Sequence, residues 1–295
     1  MITPTQVQGP GCGEKPSGTA FGCPRDFLGN RFVYATLSPR ARGLSLGVNL
    51  NPDKRCNFDC VYCEVNRAEA RVESRLDIPV MMDELERSLV MVLSGRIHEQ
   101  PCYRSAPPEL LELRHVTLSG DGEPTLCEDF FEAVESVVHL RSGGRFPFFK
   151  LVLITNCSGL DHPDVAEGIS LLSPRDEIWL KLDAGTQDHM DRVNRPDCSL
   201  DKILSNILRV GRVRPVVIQS LFVSIQGVMP SAPEIEAYLQ RLRELKEGGA
   251  QVSLVQVYSA TRPTAHSECG HLSLRMLSGI AQRVRDATGW KAEMF

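Results

Sequence analysis

Six short apolar segments of this chain alternate with six segments whose apolar residues recur at helical spacing, and this alternation constrains the fold most. The predicted strands cover residues 44–50, 115–119, 150–155, 177–182, 216–223 and 251–257. The predicted helices cover residues 80–93, 129–140, 163–172, 200–210, 233–246 and 273–287. Strands separated by helices usually run parallel with right-handed crossovers. The pattern therefore predicts an α/β fold with a parallel sheet.

Small or polar residues follow most of the predicted strands, and the carboxyl ends of parallel strands share the edge where active-site loops gather. Alternation alone leaves two architectures open, an open doubly wound sheet and a closed or partly closed barrel. The first 30 or so residues are rich in Gly and Pro and lack apolar periodicity. We therefore expect an irregular arm over residues 1–33 and one domain over residues 34–295.

Composition limits the classes of partner. The 295 residues, 42% of them hydrophobic, are enough to bury a full core. A net charge of -4 disfavours a global basic field that would gather polyanions. No apolar run approaches the roughly 20 residues of a membrane helix, and the N-terminus lacks the order of a signal peptide. We expect a cytoplasmic protein with no membrane partner.

Of ten cysteines, only Cys56, Cys60 and Cys63 stand together. Three thiolates at this spacing can bind three corners of a cubane 4Fe-4S cluster and leave the fourth iron without a protein ligand. A structural zinc site needs four ligands, and no second Cys or His pair follows. A zinc site, an ordinary electron-transfer cluster and three unligated thiols stay as alternatives.

The run Cys56-Asn-Phe-Asp-Cys60-Val-Tyr62-Cys63 resembles the Cys-x3-Cys-x2-Cys signature of the radical S-adenosylmethionine (SAM) superfamily, which has an aromatic residue before the last cysteine. Further stretches resemble the branch of Fe-S oxidoreductases related to wyosine-type tRNA-modifying enzymes. They are SPRARGLSLGVNL, LSGDGEPTL, LITN, LKLDAGTQDHMDRVNRP and VQVYSATRP. The resemblance covers roughly residues 34–265.

This resemblance implies a partial (β/α)6 TIM-like barrel, which agrees with the six predicted strands. It also implies that SAM chelates the open iron through its amino and carboxylate groups. The reduced cluster would then cleave SAM to a 5′-deoxyadenosyl radical that abstracts hydrogen from a substrate. The barrel would position the substrate and exclude water. A one-electron donor such as flavodoxin or ferredoxin is the implied protein partner.

The turn that follows the second predicted strand is the first candidate for binding SAM. It resembles the superfamily's Gly-Gly-Glu stretch, which meets the ammonium of the SAM methionine. Glycines allow close approach of backbone carbonyls, and a carboxylate offsets the positive charge. Its residues are Ser119, Gly120, Asp121, Gly122 and Glu123. Without the cysteines, an ordinary turn between strand and helix would explain it equally well.

Lys181 and Asp183 lie two residues apart on a predicted strand, so both side chains point to the same face. A lysine inside a barrel is costly unless it meets an anion. The SAM carboxylate is one candidate anion. The alternative is an internal ion pair between Lys181 and Asp183 with no ligand role.

The resemblance adds further SAM contacts at the ends of other strands. Tyr62 is expected to lie against adenine. The backbone near Val257 and Tyr258 is expected to recognise adenine. Contacts to the ribose, methionine or adenosine are expected from Thr155, Asn156, Gln219 and Ser224.

Two groups of residues near the motif keep open interpretations. Cys12 and Cys23 precede the cluster motif, and wyosine-type relatives bind a second cluster with extra upstream cysteines. A third upstream cysteine is absent here, so unligated thiols are the preferred interpretation. Arg40, Arg42 and other cations near the motif can either neutralise the cluster or bind a phosphate or carboxylate substrate.

The leading hypothesis is a radical SAM enzyme whose substrate is a modified nucleoside or tRNA by branch analogy, or else a small metabolite or peptide. The alternative is a non-enzymatic Fe-S protein for electron transfer or cluster assembly. That alternative needs the three cysteines but neither a barrel nor SAM-binding strand ends.

Overall fold

The computed structural model describes residues 27–68, 73–262 and 264–295, and all structural statements concern these ranges. Cys12, Cys23 and most of the expected arm lie outside them. The strands are β1 (Val33–Ser38), β2 (Gly43–Val48), β3 (Leu113–Leu118), β4 (Lys150–Thr155), β5 (Glu177–Lys181), β6 (Val216–Leu221), β7 (Val223–Ile225), β8 (Val252–Tyr258), β9 (Cys269–His271) and β10 (Ala292–Met294). The α-helices are α1 (Ile78–Leu93), α2 (Phe130–Ser142), α3 (Pro163–Ser170), α4 (Gln187–Val193), α5 (Leu200–Val213), α6 (Ala232–Glu247) and α7 (Leu274–Thr288).

Eight of the described strands form one sheet in the order β1-β2-β3-β4-β5-β6-β8-β10. Its centre consists of the six predicted strands, which follow chain order and run parallel. The sheet curls into a partial barrel, so the predicted α/β class and the (β/α)6 core are confirmed.

Both edges of the sheet carry strands that sequence periodicity missed. β1 pairs antiparallel with β2, and β10 adds a short parallel strand beside β8. The predicted strand over residues 216–223 is also interrupted, because the chain leaves the sheet after Leu221 and β7 pairs antiparallel with β9. The short helix α4 was not predicted either. The strands β7, β9 and β10 have three residues each and α4 has seven, too short for a clear periodic signal.

The helices begin at side-chain caps that the sequence supplies. Ser199, Ser231 and Ser273 each accept a backbone N–H from the first turn of α5, α6 and α7. α1 begins in the same way at Asp77. No helix in the described ranges is both long and apolar enough to cross a membrane.

The two faces of the sheet differ in chemistry. The outer face is apolar, and side chains such as Leu46, Leu151 and Ile218 are fully buried in the core shared with the helices. The inner face is mixed. On β2 and β3 the buried Ser45 and Thr117 hydroxyls form a hydrogen bond of 2.7 Å, whereas Val152, Trp179 and Val217 form a small apolar cluster on β4, β5 and β6. The helices therefore stabilise the outside, while the inside is lined by groups that can bind a ligand.

The turn between β1 and β2 crosses the gap between the two sheet edges. Arg42 Nη2 lies 2.8 Å from Glu293 Oε2 on β10, and Arg262 Nη2 donates to the Leu37 carbonyl oxygen at 3.5 Å. Because the strands of a barrel-like sheet are tilted, opposite ends of its two edge strands come close together. Side chains, rather than strand pairing, thus bridge this side of the partial barrel.

Candidate cluster and cofactor site

The three clustered cysteines lie in one loop beyond the carboxyl end of β2. Backbone hydrogen bonds tie this loop to the carboxyl end of α4: Val61 N donates to Val193 O at 2.8 Å, and Asp59 N donates to Asn194 O at 3.0 Å. Glu123 N donates to Arg55 O at 2.9 Å on the other side. Cys56, Cys60 and Cys63 are each half-buried in this loop.

Burial makes the cysteine thiols hard to ionise in the absence of a bound cation. Burial raises the pKa of Cys56 to about 12 and that of Cys60 to about 11. Asn194 Nδ2 donates to Cys60 Sγ at 3.5 Å, and Phe58 N donates to Cys56 Sγ at 3.5 Å. Iron deprotonates a coordinating thiol outright, and such N–H groups stabilise ligated sulfur. The donor set therefore fits a cluster.

A site for a single metal ion requires side chains that converge on one point. Within the described ranges, no group of three or more His, Cys, Asp or Glu side chains is arranged to hold a metal ion. The cysteines of a cubane cluster each bind a different iron and need not converge on one point. Ligation by Cys56, Cys60 and Cys63 stays a prediction.

The glycine-rich turn after β3 packs directly on the cysteine loop. A Cβ added at Gly122 would lie 2.0 Å from Arg55 O, and one added at Gly120 would lie 2.0 Å from Asn49 Oδ1. These glycines are therefore required by close approach of two backbones. Asn49 also holds the turn, since its amide accepts from Asp121 N at 3.0 Å and donates to Asp121 Oδ2 at 3.2 Å.

Glu123 links this turn to the end of β4. Its carboxylate accepts from Thr125 N, Thr125 Oγ1, Thr155 Oγ1 and Asn156 N at 2.5 to 3.1 Å. The side chain is buried, and burial raises its pKa despite these donors. With four intramolecular donors on it, Glu123 is placed to position Thr155 and Asn156; of the two candidate carboxylates, Asp121 is the more accessible.

Lys181 and Asp183 lie at the end of β5, as their spacing predicts. Lys181 Nζ is 3.7 Å from Asp183 Oδ2 and donates to the Tyr258 hydroxyl at 3.2 Å. Burial opposes the lysine charge, but Asp183 and Tyr258 outweigh it and raise the pKa of Lys181. The ion pair of the alternative interpretation is present. The Lys181 side chain nonetheless keeps 17% exposure, against 2% for Asp183, so it can still meet a ligand.

Asp183 is the centre of a buried network that joins three parts of the chain. It accepts from the Tyr62 hydroxyl, from Asn194 Nδ2 at 2.9 Å and from Leu221 N at 2.8 Å. Asn194 Nδ2 also lies 2.9 Å from the Tyr62 hydroxyl oxygen. The same asparagine thus contacts a cluster cysteine, the aromatic residue of the motif and the strand end beside Lys181.

Comparison with known proteins shows relatives along most of the chain. No protein-family model matches it. A UPF0026 protein of Helicobacter pylori is 25% identical over 240 residues, which cover 80% of this chain and 70% of that protein. A UPF0026 protein of Synechocystis is 31% identical over 179 residues, which cover 59% of this chain and 57% of its relative.

Solved structures are similar at low sequence identity. A radical SAM methyltransferase from Sphaerobacter thermophilus matches with a TM-score of 0.61 and 16% identity, over 89% of this chain and 68% of that chain. This chain has the radical SAM fold. TYW1 with a lysine-pyruvate adduct bound matches with a TM-score of 0.54 and 14% identity, over 88% of this chain and 85% of that one. Streptococcus suis SuiB bound to S-adenosylmethionine matches with a TM-score of 0.53 and 14% identity, over 86% of this chain and 48% of that one. The resemblance to the radical SAM superfamily is confirmed at the level of the fold.

The radical SAM fold brings most of the predicted site residues to one edge of the sheet. The cysteine loop, the turn from Ser119 to Glu123, and the ends of β4, β5 and β8 all meet there. Ser224 departs from its expected place, because it lies on β7 outside the main sheet. Gln219 is fully buried on β6 and donates to Gln256 Oε1 at 2.8 Å.

Two expected adenine contacts have intramolecular partners. The Val257 carbonyl oxygen accepts from Phe295 N at 3.0 Å, and the Tyr258 carbonyl oxygen accepts from Phe222 N at 2.9 Å. Tyr62 is buried, with its hydroxyl bound to Asp183. Recognition of adenine by Tyr62, Val257 and Tyr258 stays a prediction.

Sequence reasoning missed Asn194 and Asn49 as site residues. Asn194 ends α4 within the segment MDRVNRP, and Asn49 follows β2 directly before the cysteine loop. The available signal was that both lie in stretches resembling the radical SAM branch, SPRARGLSLGVNL and LKLDAGTQDHMDRVNRP. Neither residue type has a motif that would have distinguished it from a loop asparagine.

Proposed function

We propose that this chain is a radical SAM enzyme in which Cys56, Cys60 and Cys63 hold a 4Fe-4S cluster and SAM binds the open iron. One observation carries the proposal: three cysteines of one loop lie at the carboxyl edge of a radical SAM fold, joined through Asn194 to the Asp183 network beside Lys181. An electron-transfer cluster alone has no need of that cationic, partly open strand end. When bound, the reduced cluster supplies one electron that cleaves SAM to a hydrogen-abstracting 5′-deoxyadenosyl radical.

The chain's own residues would bind and orient SAM. Lys181 faces the methionine carboxylate, because the side chain is cationic and keeps 17% exposure. Backbone carbonyls of the turn around Gly120, with Asp121, face the methionine ammonium. Asn194 and Tyr62 keep Asp183 in place, so that the carboxylate holds Lys181 at the strand end. The inner wall of the partial barrel holds the substrate and keeps water out.

The electron would come from a small carrier such as flavodoxin or ferredoxin. For the substrate, the net charge of -4 weighs against a large polyanion bound by a general basic field. The polar side chains that β1, β2 and β3 present to the interior favour a small polar molecule or a single nucleoside inserted from the carboxyl edge. Among the candidate substrates, a small metabolite is therefore preferred to a tRNA recognised along its backbone.

Replacing Cys56, Cys60 and Cys63 together by Ala tests the cluster assignment. After anaerobic reconstitution, the variant should lose its iron and its absorbance between about 380 and 420 nm, because cubane clusters need these thiolates. Exposed Cys102→Ala is the matched control and should keep both. A full cluster in the triple variant would show that other residues ligate it.

Reaction of SAM tests the enzyme assignment. With a strong one-electron reductant, the cluster-loaded protein should release 5′-deoxyadenosine and methionine slowly even without substrate, since abstractable hydrogens surround the site. The true substrate should accelerate that release because it is oriented. If a cluster-loaded, SAM-bound preparation yields no 5′-deoxyadenosine while a known radical SAM enzyme is active beside it, the electron-carrier alternative is the better account.

A further inference from the structure

One side of the interior of this partial barrel, formed by β1, β2 and β3, is polar. Interiors of β/α barrels are commonly filled by layers of Val, Ile and Leu. Here the wall of β1, β2 and β3 carries Thr36, Ser45, His115 and Thr117 instead, all buried. These side chains surround a cavity of about 50 Å³ that also reaches Arg40 and Arg262.

Arg40 closes this cavity from the turn between β1 and β2. Its guanidinium carbon lies 4.3 Å from the ring centroid of Tyr258. Lys181 binds the hydroxyl of the same tyrosine. Tyr258 therefore links Arg40, at the cavity, to the strand end at which SAM is proposed to bind.

The acids near the cavity lie beside cations other than Arg40. Asp183 lies beside Lys181, and Glu64 lies 3.8 Å from Arg262. Among the described residues, no carboxylate lies within ion-pair distance of Arg40, and its buried Nε has no hydrogen-bond partner. Arg40 as a whole is half-buried, and its charge acts on Glu64 beyond ion-pair distance. Its buried Nε–H donor nevertheless has no acceptor, and an anionic ligand would supply one.

His115 lines the cavity with an uncharged side chain. Burial, with the nearby cations Lys150 and Arg40, lowers its pKa to about 4. Its ring packs edge-on against Trp179, with the centroids 5.5 Å apart. The imidazole is thus uncharged at neutral pH and can serve only as a hydrogen-bonding group. Arg40 is the cation that sets the preference of the cavity.

We propose that this cavity is a subsite for a small oxyanionic group of the substrate, a carboxylate or a phosphate, bound by Arg40 with the hydroxyls of the inner wall. The proposal rests on the proposed function, since it names the substrate class of the same site. The size supports it: a cavity of about 50 Å³ exceeds the roughly 10–15 Å³ that a single water needs, so it has room for a small oxyanionic group. The rest of the substrate lies towards Tyr258.

Calorimetric titration of the full, cluster-loaded chain with oxalate and, separately, with inorganic phosphate tests the subsite. We expect at least one of them to bind, and Arg40→Gln to weaken it about tenfold or more, because a charge-assisted hydrogen bond is lost. Arg40→Lys keeps the charge and should recover part of the affinity. Arg42→Gln is the matched control, two residues away with a side chain 71% exposed, and should bind as the wild type does.

SAM affinity in the same variants separates this inference from the proposed function. Arg40→Gln should keep wild-type SAM affinity, whereas Lys181→Ala should lose SAM affinity and keep the oxyanion. If neither anion binds at millimolar concentration while SAM binds, or if Arg42→Gln weakens the anion as much as Arg40→Gln, the subsite is wrong and the proposed function stands. If Arg40→Gln loses SAM affinity and keeps its affinity for the anion, the subsite is also wrong, since Arg40 would then belong to the SAM site. Oxyanion binding without SAM binding would contradict the proposed function alone.

Discussion

The hydroxyl of Tyr62, which lies between two of the clustered cysteines in sequence, donates a hydrogen bond to the buried carboxylate of Asp183 at the end of β5. The two residues are 121 positions apart in the chain. This bond ties the cysteine loop to the strand end that carries Lys181. The loop and the proposed SAM site therefore form one hydrogen-bonded unit.

Tyr62→Phe should destabilise this unit. Loss of a buried hydrogen bond to a carboxylate costs about 1 to 3 kcal/mol, measurable by urea unfolding of the cluster-free chain. The variant should also retain less iron after reconstitution, because the loop is less well held. Tyr238→Phe, which removes a buried hydroxyl bonded to Ser220, is the control and should lose stability without losing iron. Wild-type iron content in Tyr62→Phe would show that this bond does not organise the loop.

Lys181→Ala should weaken SAM binding about tenfold or somewhat more without preventing cluster assembly, since one charge-assisted hydrogen bond is worth about 1.5 to 3 kcal/mol. Equilibrium binding to the reconstituted protein measures the change. Lys150→Ala serves as control, because Lys150 pairs with Glu177 at the amino end of β4. An unchanged SAM dissociation constant would favour a purely internal ion pair between Lys181 and Asp183.

Gly122→Ala should displace the cysteine loop. The added methyl group would lie 2.0 Å from Arg55 O and 2.6 Å from Asn51 Cβ, so the backbones must separate. Overpacking of this kind costs about 1 to 3 kcal/mol, and we expect a lower iron content after reconstitution. In contrast, Gly279→Ala meets no atom within 4 Å in α7 and should stabilise the chain by about 0.5 to 1 kcal/mol. A Gly122→Ala protein with wild-type stability and iron would mean that the loop tolerates displacement.

His115 should make stability fall in mild acid. Below pH 6.5 the unfolded chain takes up a proton on this imidazole, whereas the folded chain takes it up only near pH 4. Lower pH therefore favours unfolding over that interval, by about 3 kcal/mol in total. Urea unfolding of His115→Gln between pH 7 and pH 4 should show a shallower decline than the wild type. The exposed His271→Gln should follow the wild-type curve, and identical slopes for all three proteins would contradict the prediction.

Local sequence determined much of this protein. Apolar periodicity specified the six central strands and six of the helices, because spacing along an element decides which side chains share its buried face. Cysteine spacing specified the candidate ligands, since three thiolates in one short loop must lie close together wherever the loop is placed. Lys181 and Asp183 could be paired from sequence because residues two apart on a strand share one face.

Only the tertiary structure decided which distant residues meet. Asn194 reaches Cys60 from 134 positions away, and Arg40, in the turn after β1, lies on Tyr258 of β8, six places along the sheet from β1. Glu84, on a helix correctly predicted, turns inward and accepts the backbone N–H groups of Arg31, Phe32 and Val33 at the start of β1. Sequence periodicity is silent on such contacts, because they depend on the curl and tilt of the whole sheet and on how loops pack upon it. The same curl created the polar cavity at Arg40, which no spacing in the sequence could have indicated.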